Sequence, residues 1–187
     1  MTITLREEKG SPLTHEEMDN NAKYLSGCLN MNSFLHIQDQ KPQGTHGGTF
    51  TSGAWRTRDL NTVLTNTITG ASLSNNQIIL PAGKYYVEAS APSCLVRQNK
   101  ASLYNVTGAV TLLIGTLGHS GSSSFGSLHD SSLVYGEIGL SEESDVELRH
   151  ICRDTTSNHG FGNSHSLGVF EVYSDIRIWR IGEYGAP

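Results

Sequence analysis

The sequence predicts an all-β protein, an antiparallel sandwich or barrel preceded by a short leader that contains one helix. From Phe34 onward, about eight to ten segments alternate apolar and polar residues between turn formers, as strands of a sandwich or barrel do. The 187 residues include 20 glycines and only 17% are charged, which favours short strands and loops over helical bundles. We therefore predict a leader over residues 1–30 and a β head over residues 31–187.

Charge and hydropathy exclude several classes of function. The net charge is −5 and no run of Lys or Arg occurs, so we expect no nucleic-acid binding and no attraction to anionic membranes. No apolar run reaches the roughly 18 residues that a membrane span needs, and the start MTITLREEKG lacks the features of a signal peptide. We expect the protein to fold in the cytoplasm, or to leave the cell as part of a larger assembly.

The three cysteines, Cys28, Cys94 and Cys152, are an odd number without short spacings. This pattern argues against a disulfide framework and against a zinc site. We expect buried, reduced thiols.

The leader carries the signals of a helix start. Thr14 can be the N-cap and Glu17 the third helical residue, which together form a capping box. Leu13 before the cap and Met18 after it can form a hydrophobic staple. The predicted helix runs from about residue 15 to residue 26.

One narrow apolar stripe, Met18, Ala22, Leu25 and Leu29, follows this helix at helical spacing. So short a stripe cannot stabilise an isolated helix in water, so the helix must pack on something. Its own domain, other copies of the chain and a larger assembly all remain open at this point.

The body of the chain contains the predicted strands LHIQDQ, AWRTRDL, NQIILPAGKYYVEASAP, KASLYNVT, VTLLIGTL, SLVYGEIGL, DVELRHIC and LGVFEVYSDIRIWRI. Turn formers separate them, among them TGASLSNN, GHSGSSSFGS and RDTTSNHGFGNSHS. Alternation puts Tyr85, Val87, Ala89 and Ala91 on one face of their strand, and it puts Val146, Leu148 and His150 on the inward face of theirs. His150 is therefore interpreted as a hydrogen-bonded core histidine and not as a metal ligand.

The last predicted strand has two unlike faces. Phe170, Val172, Ile176 and Ile178 share the face predicted to be the core, whereas Glu171, Tyr173, Asp175, Arg177 and Trp179 share the other. Two large aromatics among charges are typical of an intersubunit surface. A peripheral strand with incidental aromatics is the alternative.

The leader TITLREEKGSPLTHEEMDNNAKYL resembles the short leaders of bacteriophage tail-fibre and virion-fibre proteins. These carry a similar GSPLT stretch, then an acidic residue and a D-x-N cluster, here Glu17 and residues 19–21. The resemblance covers about the first 25 residues. It implies that the leader connects a fibre to the particle, with the attachment surface formed by Leu13, Met18, Ala22 and Leu25.

Most of residues 34–181 resembles the globular heads of complement-collagen proteins and of the tumour-necrosis-factor superfamily. The matching positions are Pro81, Gly83 and Tyr85 in a Pro-x-Gly-x-Tyr turn, and Phe170 in the closing aromatic strand. The stretch AWRTRDLNTV through RIWRI also resembles head domains of phage fibre proteins. The resemblance implies a ten-stranded jelly roll and a trimer, with an interface that includes Tyr173, Arg177 and Trp179. A collagen-like stalk or long coiled coil is missing, so the leader passes almost directly into the head.

Catalytic patterns are weak. The stretch GHSGS approximates a nucleophile elbow, but its fifth position is Ser and it lies in a Ser/Gly-rich loop. The carboxylates of SEESDVE, which are Glu142, Glu143, Asp145 and Glu147, could form a glycosidase pair, but a polar turn normally leaves such groups solvated. We predict a protein that is not an enzyme and that has no cofactor and no metal. Loop histidines gathering a metal near a threefold axis are the alternative to the last point.

Two long loops, residues 118–132 and 154–166, are the best binding candidates. They combine small polar residues with single aromatics, a mixture that recognition loops use and that suits sugars. Mobile connectors without a ligand are the alternative. The predicted receptor-binding residues are His119, Ser122, Phe125, His129, Asn158, His159, Phe161, Asn163 and His165.

These observations predict a non-enzymatic bacteriophage virion component, a homotrimeric fibre head that recognises a host-surface glycan or protein. It would be assembled in the host cytoplasm, bound to other virion proteins through its leader, and would neither bind nucleic acid nor insert into membranes. A structural or decorating protein of capsid or tail without a receptor role, and a glycan-cleaving tail enzyme, are the alternatives. A cellular cytokine-like head is disfavoured because a signal peptide was not found.

Overall fold

The structure is a computed structural model that describes residues 5, 9–29, 33–123, 126–127 and 129–185, with side chains in the leader helix described as far as Ala22. One helix, α1, spans His15–Leu29. The strands are β1 Phe34–Lys41, β2 Arg56–Thr57, β3 Thr62–Asn66, β4 Ser72–Ser74, β5 Gln77–Leu80, β6 Gly83–Cys94, β7 Arg97–Asn105, β8 Val110–Ser120, β9 Ser122–Ser123, β10 Gly126–Ser127, β11 His129–Leu140, β12 Ser144–Cys152 and β13 Glu171–Gly182.

The strands form two antiparallel sheets. The first has the order β11-β6-β13-β1-β3 and the second the order β4-β5-β12-β7-β8, with β2 pairing on β12 beyond the end of β5. From β5 onward, the strands of these two sheets change sheet at every connection except the one between β7 and β8, which pair with each other. This order is a jelly roll, so the predicted fold class is confirmed. β9 and β10 form a separate small hairpin.

The described chain has more strands than the alternation pattern indicated, because short edge strands lack a readable period. β4 lies inside the predicted turn TGASLSNN and pairs with β5, with Ser74 opposite Gln77. The two residues between them, Asn75 and Asn76, have φ of 49° and 64°. Two consecutive left-handed residues make the tight hairpin turn that Asn tolerates well, so the dipeptide Asn-Asn is the signal that marks this hairpin.

The main core lies between the sheets and confirms most of the predicted alternation. Tyr85, Val87 and Ala91 on β6 are fully buried, as are Val146 and Leu148 on β12. A second, smaller cluster of Phe50, Val96, Cys152 and Phe161 lies beyond the strand ends. Cys94 and Cys152 are buried free thiols, as predicted, whereas the side chain of Cys28 lies outside the described residues.

The predicted faces of the last strand are wrong in its first half. Phe170 is 66% and Val172 45% exposed, whereas Tyr173 is only 5% exposed and donates its hydroxyl to the Thr45 carbonyl at 2.7 Å. The register between β1 and β13 slips between Gln38 and Gln40, and this bulge adds one residue to β13. An extra residue exchanges the two faces of a strand, which strict alternation cannot anticipate. Tyr173 therefore packs inside its own chain.

The leader helix forms as the capping box predicts. The Glu17 amide donates to Thr14 Oγ1 at 3.2 Å, and the Thr14 amide donates to Glu17 Oε2 at 2.7 Å. The Lys9 ammonium pairs with the same carboxylate, and these bonds lower the pKa of Glu17 to about 2. Met18 is 45% exposed and Ala22 is also exposed, so this part of the apolar stripe is not covered by the head. Among the described residues, α1 is neither long nor apolar enough to cross a membrane.

The head has two distinct ends, which β1 joins. Phe34, at the start of β1, pairs with Trp179, and Lys41, at its end, pairs with Glu171. The end at Phe34, where the leader enters, is called the leader end. The opposite end is called the loop end, and there the chain makes the connections 42–50, 95–96 and 153–170.

Candidate functional site

The loop end holds both loops that the sequence predicts to bind a receptor. His129 pairs with Cys94 at the end of β6, and β12 and β13 bracket residues 153–170 at the same edge. The two loops meet directly, because the rings of His129 and His165 lie 5.2 Å apart. The structure therefore brings together two residues that β11, β12 and part of a long loop separate in sequence.

Residues 154–162 are tied to segment 42–50 by main-chain hydrogen bonds. Gly47 N donates to Gly162 O at 2.9 Å, Gly48 N to Asn158 O at 2.9 Å and Phe50 N to Thr156 O at 3.0 Å. The two segments approach as closely as a pair of strands. This approach requires glycine at position 160, where a Cβ would lie 2.6 Å from the Thr156 carbonyl oxygen.

A buried arginine fixes the base of this loop. Arg58 is 1% exposed, and its guanidinium donates to Ser174 Oγ at 2.9 Å, Pro92 O at 3.1 Å and Phe161 O at 3.2 Å. The same guanidinium lies 4.2 Å from the centroid of the Phe161 ring. Burial lowers the pKa of Arg58 to about 10, so the group remains charged at neutral pH. The Arg58 guanidinium thus links β6, β13 and the loop through these hydrogen bonds.

Phe161, a predicted binding residue, is half-buried, and its role in binding stays a prediction. Its ring stacks on Phe50 with centroids 4.3 Å apart, while Arg58 covers it. Periodicity carries no signal in an irregular loop, so the sequence could not tell a ring packed beneath the loop from a ring displayed on it.

The exposed apolar residues of this end lie further along the chain. Residues 166–170 form a turn in which Leu167 is 81%, Val169 66% and Phe170 66% exposed. The carboxylate of Glu171 accepts the amides of Gly44 at 3.1 Å, Ser166 at 3.0 Å and His165 at 3.3 Å. These bonds hold the turn at its base and lower the pKa of Glu171. The turn 166–170, called the apolar tip, was missed because it was interpreted as the start of a core strand.

The remaining predicted loop residues differ in exposure. His119, His129, Asn158 and His165 are exposed, whereas His159 and Asn163 are half-buried. Asn158 has φ of 66°, a left-handed conformation that Asn tolerates. Phe125 and the side chain of Ser122 lie outside the described residues.

Four histidines form two facing pairs at the loop end. In addition to His129 and His165, the rings of His46 and His159 lie 5.8 Å apart. Burial, followed by His165 and His159, lowers the pKa of His129. Over the part of the chain that the structure describes, no group of three or more His, Cys, Asp or Glu side chains could hold a metal ion.

His150 occupies the core as predicted. It is fully buried, its Nε2 lies 2.9 Å from Asn99 Oδ1, and its ring lies 4.7 Å from that of Phe50. Its Nδ1 has no hydrogen-bond partner. Burial, with a smaller contribution from Arg58, lowers the pKa of His150 to about 2.

The turn carboxylates of SEESDVE lie towards the leader end, at the start of β12. Glu142 and Glu143 are exposed. Glu147 is 4% exposed, accepts the Thr57 hydroxyl at 2.9 Å and pairs with Arg149, so it is a structural residue.

A second candidate surface is the outer face of the first sheet, defined by Phe34, His36, Tyr86, Glu88, Leu133, Tyr135, Asp175, Arg177 and Trp179. The Trp179 ring lies 5.0 Å from Phe34 and 6.0 Å from Tyr86. Beside these rings, Tyr135 is 62% and Leu133 46% exposed.

The middle of this outer face is polar and concave. Asp175 contacts His36 Nε2 at 2.8 Å and Arg177 Nε at 3.3 Å. A shallow concavity of about 210 Å³ lies among Glu88, Tyr135 and Arg177. The two trimer residues Arg177 and Trp179 thus lie on the predicted face, and their role in an interface stays a prediction.

No protein-family model matches the chain, and no curated protein sequence matches it either. Among solved structures, it is similar to a crystal structure of murine APRIL at pH 8.0, with 10% identity, a TM-score of 0.46 and coverage of 79% of this chain and 98% of that one. A crystal structure of murine APRIL at pH 5.0 has 9% identity, a TM-score of 0.48 and the same two coverages.

Proposed function

We propose that the chain is the non-enzymatic, trimeric head of a bacteriophage virion fibre, which attaches through its leader and recognises a host-surface glycan with its loop end. The observation that carries this proposal is that the leader and the loops lie at opposite ends of the head. The leader enters at Phe34 and the loops gather beyond Lys41, at opposite ends of β1. Eight residues of strand separate the two ends by roughly 25 Å, at about 3.3 Å per residue.

A head with the leader at one end and the loops at the other suits attachment. A protein held at one end presents the other end outward, so the leader and the loops can act at the same time without obstructing each other. A decorating protein has no need of this separation, although it can have it.

The outer face of the first sheet supports self-association. It carries aromatic and arginine side chains, the residue types enriched at interfaces, and Tyr135 and Leu133 gain burial only if another molecule covers them. An obligate trimer interface buries on the order of 2,000 Å² or more. Three heads held together multiply weak binding sites by avidity, so each site needs only modest affinity.

The apolar tip and its polar surroundings support a carbohydrate ligand. An exposed ring such as that of Phe170 can stack on the apolar face of a sugar, while Asn158 and His165 are exposed nearby in the same loop. The Glu171 carboxylate already orders the base of the tip, so binding need not order it.

Solution mass tests the trimer. The wild type should have three times the chain mass of 20.3 kDa at micromolar concentration. Tyr135→Glu should give a folded monomer, since this side chain projects from the outer face. Tyr104→Glu is the matched control, because Tyr104 lies beside Arg149 on the second sheet and should leave the trimer intact. A wild-type monomer would remove the basis of the avidity scheme.

Binding of the labelled protein to a panel of bacterial cells and their isolated surface polysaccharides tests recognition. Phe170→Ala should weaken binding about tenfold or more at unchanged trimer mass, the size of effect seen for central aromatic contacts. Tyr184→Ala, at the leader end and 54% exposed in the wild type, should not. Intact trimers that bind no cell or polysaccharide would favour the decorating role, and release of reducing sugar would favour the tail enzyme.

A further inference from the structure

The two histidine pairs at the loop end share one feature that the proposed function does not use. Each pair joins loop 153–170 to a different neighbour: His165 faces His129 of β11, and His159 faces His46 of segment 42–50. The loop therefore faces an imidazole on each of two sides, and imidazole is the side-chain group whose ordinary pKa lies nearest to neutral pH.

The bond from the Ser164 amide to His46 requires a neutral imidazole, whereas the Ser164 hydroxyl can either donate to His46 Nδ1 or accept from it. The backbone amide of Ser164 donates to His46 Nδ1 at 3.1 Å, and the Ser164 hydroxyl lies at the same 3.1 Å from that atom. A backbone N–H can only donate, so Nδ1 must carry a free lone pair. A proton on Nδ1 removes the acceptor and turns two N–H groups toward each other.

In the second pair, the surroundings of His129 also favour a neutral imidazole. Cys94 Sγ lies 3.7 Å from His129 Nε2, so β6 contributes a largely neutral thiol there, and no cation. Asp130 turns its carboxylate to the amides of His119 and Ser131. Burial and the neighbouring histidines lower the pKa of His129, which means that the fold favours its neutral form.

One group opposes this trend. Glu171 on β13 accepts the His165 amide at 3.3 Å, which places a carboxylate beside that residue. Protons on both rings would place two positive charges 5.2 Å apart. Two like charges at this distance repel each other, which disfavours the contact between the rings of His129 and His165.

We propose that His46, His129, His159 and His165 form a proton-operated latch that holds loop 153–170 in place at neutral pH and releases it in mild acid. Only the biological role of the latch rests on the proposed function, and that role is to make a recognition surface respond to pH. The order of the loop is measurable without any ligand.

Amide hydrogen exchange, corrected for the intrinsic effect of pH, tests the latch. Between about pH 7.5 and pH 5.5, protection of Ser164 and of residues 153–170 should fall about tenfold, while the central strands β6 and β13 stay protected. His46→Gln supplies an amide oxygen that accepts the Ser164 N–H at any pH, so this variant should lose the pH dependence at Ser164.

His119→Gln is the matched control. His119 is exposed and belongs to neither pair, so its removal should leave the transition unchanged. His129→Gln is a second test that does not rely on segment 42–50, and it should reduce the acid response of residues 163–166. Unchanged loop protection in the wild type, or a drop in His46→Gln equal to that of the wild type, would overturn the latch. Either result leaves the cell-binding test untouched.

Discussion

Replacing Arg58 by Met tests whether one buried charge stabilises the loop end. Methionine keeps an unbranched apolar stem but removes every donor, so Ser174 Oγ, Pro92 O and Phe161 O each lose the bond that Arg58 supplies. Each hydrogen bond from a charged donor contributes about 1.5–3 kcal/mol. Three of them outweigh the cost of burying the charge.

That cost can be read from the pKa of Arg58. The fall from 12.5 to about 10 corresponds to roughly 3 kcal/mol against the charged form, at about 1.4 kcal/mol per pH unit. The difference between gain and cost predicts that Arg58→Met lowers the free energy of unfolding by about 3 kcal/mol.

Urea unfolding followed by circular dichroism measures this change. Arg97→Met is the control, because Arg97 is 57% exposed and pairs with Asp154 only at the surface, so its loss should cost less than about 1 kcal/mol. If Arg58→Met stays within about 0.5 kcal/mol of the wild type, desolvation cancels the three bonds and the reasoning is wrong.

Two further predictions concern the acid limit of the fold and the close approach in the loop. The pKa of His150 is about 2 in the folded state against an ordinary 6.5, so its contribution to stability is complete above pH 6.5. That contribution is lost by about 1.4 kcal/mol per pH unit as the pH falls below 6.5. Chemical denaturation at several pH values should show that the unfolding free energy of His150→Gln falls less steeply with decreasing pH than that of the wild type. Gly160→Ala should lower the unfolding free energy by about 1–3 kcal/mol, because its Cβ would overlap a carbonyl oxygen. Gly182→Ala, with nothing within 4 Å of its Cβ, should leave that free energy and the melting temperature unchanged.

Local chemistry explains where sequence reasoning succeeded. The Thr14–Glu17 capping box involves residues three apart, and it forms as predicted. Alternation along β6 and β12 placed Tyr85, Leu148 and His150 correctly, because a regular strand exposes every second side chain to one face.

The failures occur where one residue breaks that regularity or where no period exists. The bulge in β13 exchanged the faces of Val172 and Tyr173. In loop 153–170, the exposed ring is Phe170, which the sequence places in an apolar run that resembles a core strand. The packed ring is Phe161, which lies among glycines and polar residues. Which of them is covered depends on Arg58 and Phe50, which lie about a hundred residues away in sequence.

The sequence by itself determined the capped leader helix, the alternating strands and the polar loops, since each depends on residues only a few positions apart. Tertiary structure decided the rest: which face of β13 is buried, which ring the loop displays, and which histidines face each other. These features arise from contacts between segments distant in the chain, and the pairing register of the strands, which no short window of sequence contains, sets those contacts.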